Sequence, residues 1–272
     1  MRTAEQVRKH YEIERELASR LKDCTTERRR ELYGPTYDEL FRRVPDHPML
    51  SRKVDPEATA RAVKSQLRLL ERFLTPESNF LEVGPGDCAL SFAVAPKVKQ
   101  VYAVDVSEVI SSQKQAPANF KLVLSNGVSI PVAPGSVHVA YSNQLMEHLH
   151  PDDAAEQLRN IHAALAPGAA YFCITPSALS GPHDVSGHFE RVASGFHLKE
   201  YTYGELARLF RQVGFSSVRA LFSVKGRSVL LPVWVCGLAE SLVRAIPYPT
   251  GRKLAGKLPL RLFLGVQIVG YK

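Results

Sequence analysis

The segment FLEVGPGDCALSFAVAPKVKQVYAVD, residues 80–105, constrains this chain more than any other. Phe80 to Val83 reads as an apolar strand, followed by a glycine-bearing turn, a helix, and a second strand from Val101 to Val104 that ends on Asp105. That order builds a nucleotide pocket. Gly84 and Gly86 let the backbone turn sharply and approach a bound molecule that any Cβ would hold away. Asp105 falls beside the same loop, where its carboxylate can accept both ribose hydroxyls of an adenosine group. Gly84 to Ala89 also satisfies the relaxed dinucleotide pattern GxGxx(G/A), so the loop by itself does not choose between adenosine-bearing cofactors.

The rest of the chain limits what can surround this pocket. Its 272 residues, 45% hydrophobic, suffice for one sizeable α/β core plus an appendage, and not for two independent enzymatic domains. Cys24, Cys88, Cys173 and Cys236 lie far apart with no CxxC pair, which predicts reduced, mostly buried thiols and a cytoplasmic protein. The N-terminal MRTAEQVRKHYEIERE is charged throughout and lacks the apolar run of a secretory signal. The longest apolar run, Val229 to Ala239, is interrupted by Pro232 and falls short of the ~20 residues a membrane span needs.

Short apolar runs alternate with helical patterns from Asn79 onward, the signature of an α/β fold built from strand–helix–strand units. Predicted strands are Phe80–Val83, Val101–Val104, Phe120–Leu124, His138–Ser142, Ala169–Ile174, Ser217–Val224 and Leu264–Tyr271. A helix opens at Pro151-Asp152, buries Leu158, Ile161 and Leu165, and ends at Pro167-Gly168. Thr202 and Glu205 have the spacing of a capping box for a helix that Gly214 closes. Upstream, Val7, Tyr11, Leu17 and Leu21 share one helical face, and Ala60, Val63, Leu67, Leu70 and Leu74 share another. Between them Gly34, Pro35, Pro45 and Pro48 predict an irregular connection. Residues 1–75 thus read as a helical extension or lid on a domain spanning 76–272, with a basic, apolar insertion at 225–261.

Several further motifs resemble those of class I S-adenosylmethionine-dependent methyltransferases. Glu82-Val-Gly-Pro-Gly86 with Asp105 is similar to the family's first two motifs, Leu124 to Pro131 to its adenine loop, and His138 to Leu149 to its fourth strand and following turn. The resemblance covers roughly residues 75–224. It implies a Rossmann-like, seven-stranded, mostly parallel sheet with an antiparallel final strand, and S-adenosyl-L-methionine as cofactor. Glu82, Gly84, Gly86, Asp105, Asn126, Gly127, Ser142 and Asn143 would then hold that cofactor. The chain departs from the family at Cys88, where a third glycine often stands, and at Asn126, where an acid is usual. The absence of a Tyr-xxx-Lys pair argues against a nicotinamide enzyme.

Methyl transfer to a hydroxyl requires a proton to leave, and histidine is the side chain suited to take it near neutrality. His148, just past the fourth strand, is the candidate base. His183, His188 and His197 follow the fifth strand and are expected to face the acceptor. His183, Asp184, His188 and Glu190 match no metal-ligand spacing, so no metal is assigned.

A net charge of +8, with clusters at Arg28-Arg29-Arg30, Arg42-Arg43 and Lys225 to Arg261, permits nucleic acid or anionic membrane as a partner without requiring either. No aromatic residues interleave with the clusters, and the turn after the fourth strand is Ser-Asn-Gln-Leu, not Asn/Asp-Pro-Pro-aromatic, so nucleic acid is disfavoured. The insertion sets Leu230, Leu231, Val233, Trp234 and Leu238 near Arg244, Arg252, Lys253, Lys257 and Arg261, a mixture suited to peripheral membrane contact, to a cap over the pocket or to a dimer contact. The expected reaction is methyl transfer to a small-molecule, glycan-linked or lipid-like acceptor, at oxygen before nitrogen or carbon. The alternative is a non-catalytic adenosine-ligand binding or scaffold protein on the same fold. Oligomeric state is not legible.

Overall fold

The computed structural model describes all residues except 1, 49, 51–54, 108–115, 225–226, 258–259 and 261–263. Lys225 and Arg261, two of the basic residues singled out above, fall outside the described residues. Eight strands form one sheet: β1 (Asn79–Val83), β2 (Gln100–Asp105), β3 (Phe120–Leu124), β4 (Val137–Asn143), β5 (Leu165–Thr175), β6 (Ser217–Val224), β7 (Arg227–Pro232) and β8 (Val266–Tyr271). Their order is β3-β2-β1-β4-β5-β8-β6-β7. The first five run parallel to their neighbours, and β8 inserts antiparallel between β5 and β6.

Strand order reverses at β1, which pairs with β2 on one side and β4 on the other. A crevice opens at such a switch point beyond the carboxyl ends of the strands. Alternate residues along the strands enter opposite layers. Leu81, Ala140, Tyr171 and Ile268 pack with Leu158 and Ile161 of α5 (Pro151–Ala164) and Leu206 and Phe210 of α6 (Tyr203–Gln212). Their strand neighbours Phe80, Val139, Phe172 and Val269 pack with Leu70 of α3 (Pro56–Leu70) and with Leu90 and Val94 of α4 (Ala89–Val94).

Every expected strand is present, and Thr202 with Glu205 forms the expected capping box of α6. Three local features differ. α1 (Ala4–Lys22) is followed by α2 (Thr26–Arg43), which runs straight through Gly34-Pro35 where an irregular connection was expected. Proline forfeits one hydrogen bond inside a helix, and here the buried face Arg29, Tyr33, Thr36 and Leu40 outweighs that loss. β5 begins at Leu165, not Ala169, through a register irregularity opposite Val137 and Val139. The sheet has eight strands where seven were expected, because the start of the insertion folds back on β6 as β7, with Ala220 opposite Leu231 and Phe222 opposite Val229. The remainder of the insertion forms α7 (Val233–Arg244) and α8 (Tyr248–Ala255). No helix among the described residues is long and apolar enough to cross a membrane.

Candidate functional site

The crevice at the end of β1 holds two cavities of about 130 and 600 Å³ that share Tyr37, Gly84, Gly86, Gln144 and His148. They are two lobes of one cleft, with α2 closing over both. At its floor Gly84 and Gly86 take φ +70° and +56°, a backbone region that side chains disfavour. Nothing lies within 4 Å of where a Cβ on Gly86 would stand, so the loop faces open space. Among the described residues, two that are not glycine also have positive φ, Cys88 at 59° and Gln144 at 57°. The position where a family glycine is often found therefore keeps the glycine conformation despite its cysteine. Such strained residues cluster where surrounding structure enforces a functional geometry.

The smaller lobe is lined by Val83, Val104, Asp105, Ser125, Gly127 and Tyr33. Asp105 is aimed by its own backbone, since Oδ1 accepts the amide N–H of Val106 at 2.7 Å and of Ser107 at 3.4 Å. Gly127, with φ +85°, is pressed against Tyr33, whose ring carbon would lie 2.8 Å from any Cβ there. Asn126 is exposed and turns its Oδ1 back to the amides of Val128 and Ser129, shaping the loop without lining the cleft. Ser142 is fully buried and pairs with the Tyr171 hydroxyl at 2.7 Å, away from both lobes, whereas Asn143 does line the larger one.

Glu82 also borders the larger lobe. It is buried, accepts the Ser91 hydroxyl at 2.5 Å, and burial together with nearby Asp87 and Asp105 pushes its carboxyl up to about 8. A cationic group beside it would reverse that rise.

His148, His183, His188 and His197 also line the larger lobe. His148 donates Nδ1–H to the Phe196 carbonyl at 2.9 Å, and burial together with His197 lowers its proton affinity to about 3. It is therefore neutral near pH 7 and a weak proton acceptor. Burial works against protonation of His197 too, but its 2.7 Å hydrogen bond to Glu200 and the charge of Glu147 raise its pKa overall. His183 and His188 are exposed at the rim, and His183 meets Ser180 at 2.9 Å.

Sequence reasoning missed Glu147 and the trio His10, Glu14 and His47. Glu147 is completely buried beside His148, takes the Thr175 hydroxyl at 2.9 Å on Oε2, and is pushed up to about 7 by burial. His10 and Glu14 extend the buried stripe of Leu17 and Leu21 on α1, and polar residues on an apolar helical stripe were the available signal. Glu14 accepts His10 at 2.7 Å and the Phe196 amide at 3.1 Å, tying α1 to the loop that follows β5.

Burial alone would raise the Glu14 carboxyl, but its hydrogen bonds to His10, His47 and Phe196 outweigh that and hold it at about 2. A carboxyl held this low stabilises the fold above its ordinary value of 4.5, and the contribution is lost as pH falls towards 2. Glu14→Gln is expected to be less stable than the wild type above pH 5 by on the order of 3 kcal/mol. Urea unfolding midpoints should show that gap closing between pH 5 and 2; a gap independent of pH would contradict the assignment.

A family model described as a methyltransferase domain matches residues 54–220, more than half of the chain. Among solved structures, the fold is similar to an S-adenosylmethionine-dependent methyltransferase from Archaeoglobus fulgidus, 18% identical, covering 78% of this chain and 94% of that one at a TM-score of 0.51. It is also similar to one from Mesorhizobium loti, 13% identical, covering 76% of this chain and 98% of that one at 0.52. At these identities the likeness is one of fold. No curated protein sequence matches the chain.

Proposed function

This chain belongs to the methyltransferase domain family of class I S-adenosylmethionine-dependent enzymes, and we propose that it methylates a hydroxyl of a small-molecule, glycan-linked or lipid-like acceptor. The observation that carries this reading is the two-lobed cleft. One lobe has an anchored acid beside a glycine loop, and the other offers about 600 Å³ with a polar, histidine-rich wall. The residues fit the cofactor. Asp105 would take the ribose hydroxyls, the 125–127 loop the adenine edge, the amides after Gly84 the carboxylate, and Glu82 the ammonium group. When bound, the cofactor supplies an electrophilic methyl on a sulfonium.

The chain's own contribution is to hold the acceptor oxygen in line and keep water out, which accounts for much of the rate in such transfers. Residues 1–75 act in this reading as a lid, with Tyr37 over the junction of the lobes. His148 orients the acceptor and, with its depressed proton affinity, does not act as a strong base; the hydroxyl proton, made strongly acidic once the oxygen bonds the methyl, passes to water at the cleft mouth. Calorimetry with S-adenosylmethionine and S-adenosylhomocysteine, followed by transfer of labelled methyl groups into a cell extract, tests the proposal. Binding without any labelled product would favour the scaffold alternative.

Glu82 makes the first step pH-dependent. Protonated below about 8 in the empty cleft, it must ionise to pair with an ammonium group, so binding should release a proton and strengthen as pH rises towards 8. Calorimetry at pH 7 in buffers of different ionisation enthalpy reads that proton; a buffer-independent heat would remove Glu82 from the ammonium site.

The exposed face of α7 supports a lipid-like acceptor. Trp234, Leu238 and Leu242, spaced four apart, are 66%, 58% and 72% exposed, with Arg244, Arg252 and Lys253 nearby in sequence. An apolar helical row with interfacial tryptophan and cationic flanks suits the surface of an anionic bilayer. The chain is expected to float with phosphatidylserine vesicles at low salt, and Leu238→Glu to remain at the bottom of the gradient. Equal flotation of both proteins would count against this surface.

A further inference from the structure

We infer that Glu147, His148 and His197 form a binding site for a first-row divalent transition-metal ion at the floor of the larger lobe. One ligand-type atom from each residue lies within 4.8 Å of the other two. Ligands about 2.1 Å from a shared ion stand roughly 3 to 4 Å apart, so small side-chain adjustments would close the set.

The hydrogen bonds around the trio are those of a ligand set. His148 gives its Nδ1–H to the Phe196 carbonyl, and His197 gives its own to the Glu200 carboxylate at 2.7 Å. Both partners are acceptors, so in the neutral imidazoles, the form that binds a metal, the proton sits on Nδ1 and Nε2 keeps its lone pair. Metal-binding imidazoles are usually oriented in this way, through a carbonyl or carboxylate behind the ring. Glu147 repeats the pattern: Thr175 secures Oε2, while Oε1 is buried with no hydrogen-bond partner among the described residues. The Lys199 amide donates to the Glu147 carbonyl at 3.1 Å, fastening the 196–200 segment to the turn that carries Glu147 and His148.

The neighbouring trio His10, Glu14 and His47 has similar spacing, and its hydrogen bonds point the other way. Arg2, which can only donate, lies 2.9 Å from His10 Nδ1. The His10 proton is therefore on Nε2, where it is given to Glu14, and no lone pair is left there for an ion. Both clusters border the same cavity, and in the Glu147 cluster the carboxylate keeps a buried oxygen with no hydrogen-bond partner among the described residues.

Two imidazoles and one carboxylate suit zinc, iron(II), cobalt(II) or manganese(II) better than calcium or magnesium, which favour all-oxygen sites. Three protein ligands leave coordination positions open, and on the methyltransferase reading above, an acceptor hydroxyl would occupy one of them. The substrate class this favours is an acceptor with two adjacent oxygen donors able to chelate.

The test uses the full chain without a histidine tag and Co²⁺ as the probe, read by d–d absorption and equilibrium dialysis. One Co²⁺ per chain is expected. Glu147→Gln and His197→Ala should weaken binding at least a hundredfold, Glu200→Gln by ten- to a hundredfold, and His10→Asn by less than threefold. Circular dichroism and S-adenosylhomocysteine binding on the same samples report whether each variant is folded. A folded wild type that takes up no stoichiometric Co²⁺ overturns the site, as does binding that disappears in His10→Asn and survives in Glu147→Gln. If Co²⁺ binds as described and S-adenosylhomocysteine does not, the metal site stands and the methyltransferase cofactor reading fails.

Discussion

Asp153→Ala is expected to lower folding stability by about 3–5 kcal/mol, the range for removing one partner of a buried ion pair. Asp153 is completely buried at the start of α5, and the guanidinium of Arg29 on α2, also buried, donates Nε–H to it at 2.5 Å. Tyr33, one turn along α2, donates its hydroxyl to the same oxygen at 2.8 Å and accepts the His150 amide at 3.0 Å. Alanine would leave a buried cation without its counter-ion and a buried hydroxyl without its acceptor. The damage should reach the cleft, because Tyr33 packs on Gly127 in the smaller lobe. Chemical denaturation should show the loss in the unfolding midpoint, and S-adenosylhomocysteine affinity should fall with it. A double replacement by apolar residues of similar volume, Arg29→Met with Asp153→Leu, is expected to recover most of the stability. If Asp153→Ala unfolds within 1 kcal/mol of the wild type, on the scale of an exposed pair, this clamp is not what holds α2 over the cleft.

The same pair marks the boundary of what could be read from the sequence. Arg28, Arg29 and Arg30 look alike as a basic run, yet Arg28 is exposed, Arg30 reaches Glu156, and Arg29 is buried. What separates them is an acid more than a hundred residues away, and local pattern carries no trace of it. Strand and glycine-loop positions were legible because period, turn chemistry and spacing are local properties. α2 was misread because Gly34 and Pro35 are helix-breaking by propensity, and only the tertiary contacts of Arg29, Tyr33 and Leu40 override them. The histidine wall was half legible: residues after β4 and β5 had to lie near the cleft by topology, whereas His10, Glu14 and His47 arrive from the N-terminal segment, whose docking nothing local encodes. Glu147 was overlooked beside His148 because an acid in a turn normally faces water; its burial depends on Thr175 and the 196–200 segment packing around it.

On the proposed placement of the cofactor the decisive residue is Asp105, and Asp105→Ala is expected to weaken S-adenosylhomocysteine binding by a hundredfold or more. The estimate rests on two hydroxyl-to-carboxylate hydrogen bonds at roughly 1.5–3 kcal/mol each, of which a tenfold loss needs about 1.4. The fold should survive, since Asp105 sits at the end of β2 and its carboxylate accepts the amides of Val106 and Ser107 at the cleft edge. Asp105→Asn separates shape from charge: it keeps one oxygen for the Val106 amide but replaces an acceptor with a donor, so an intermediate loss is expected. Calorimetry on both variants, with unfolding midpoints measured alongside, distinguishes a lost ribose contact from a collapsed cleft. Should Asp105→Ala bind within threefold of the wild type while folded, the adenosine group lies elsewhere and the strand–loop–strand–acid unit is scaffolding, whatever the chain goes on to methylate.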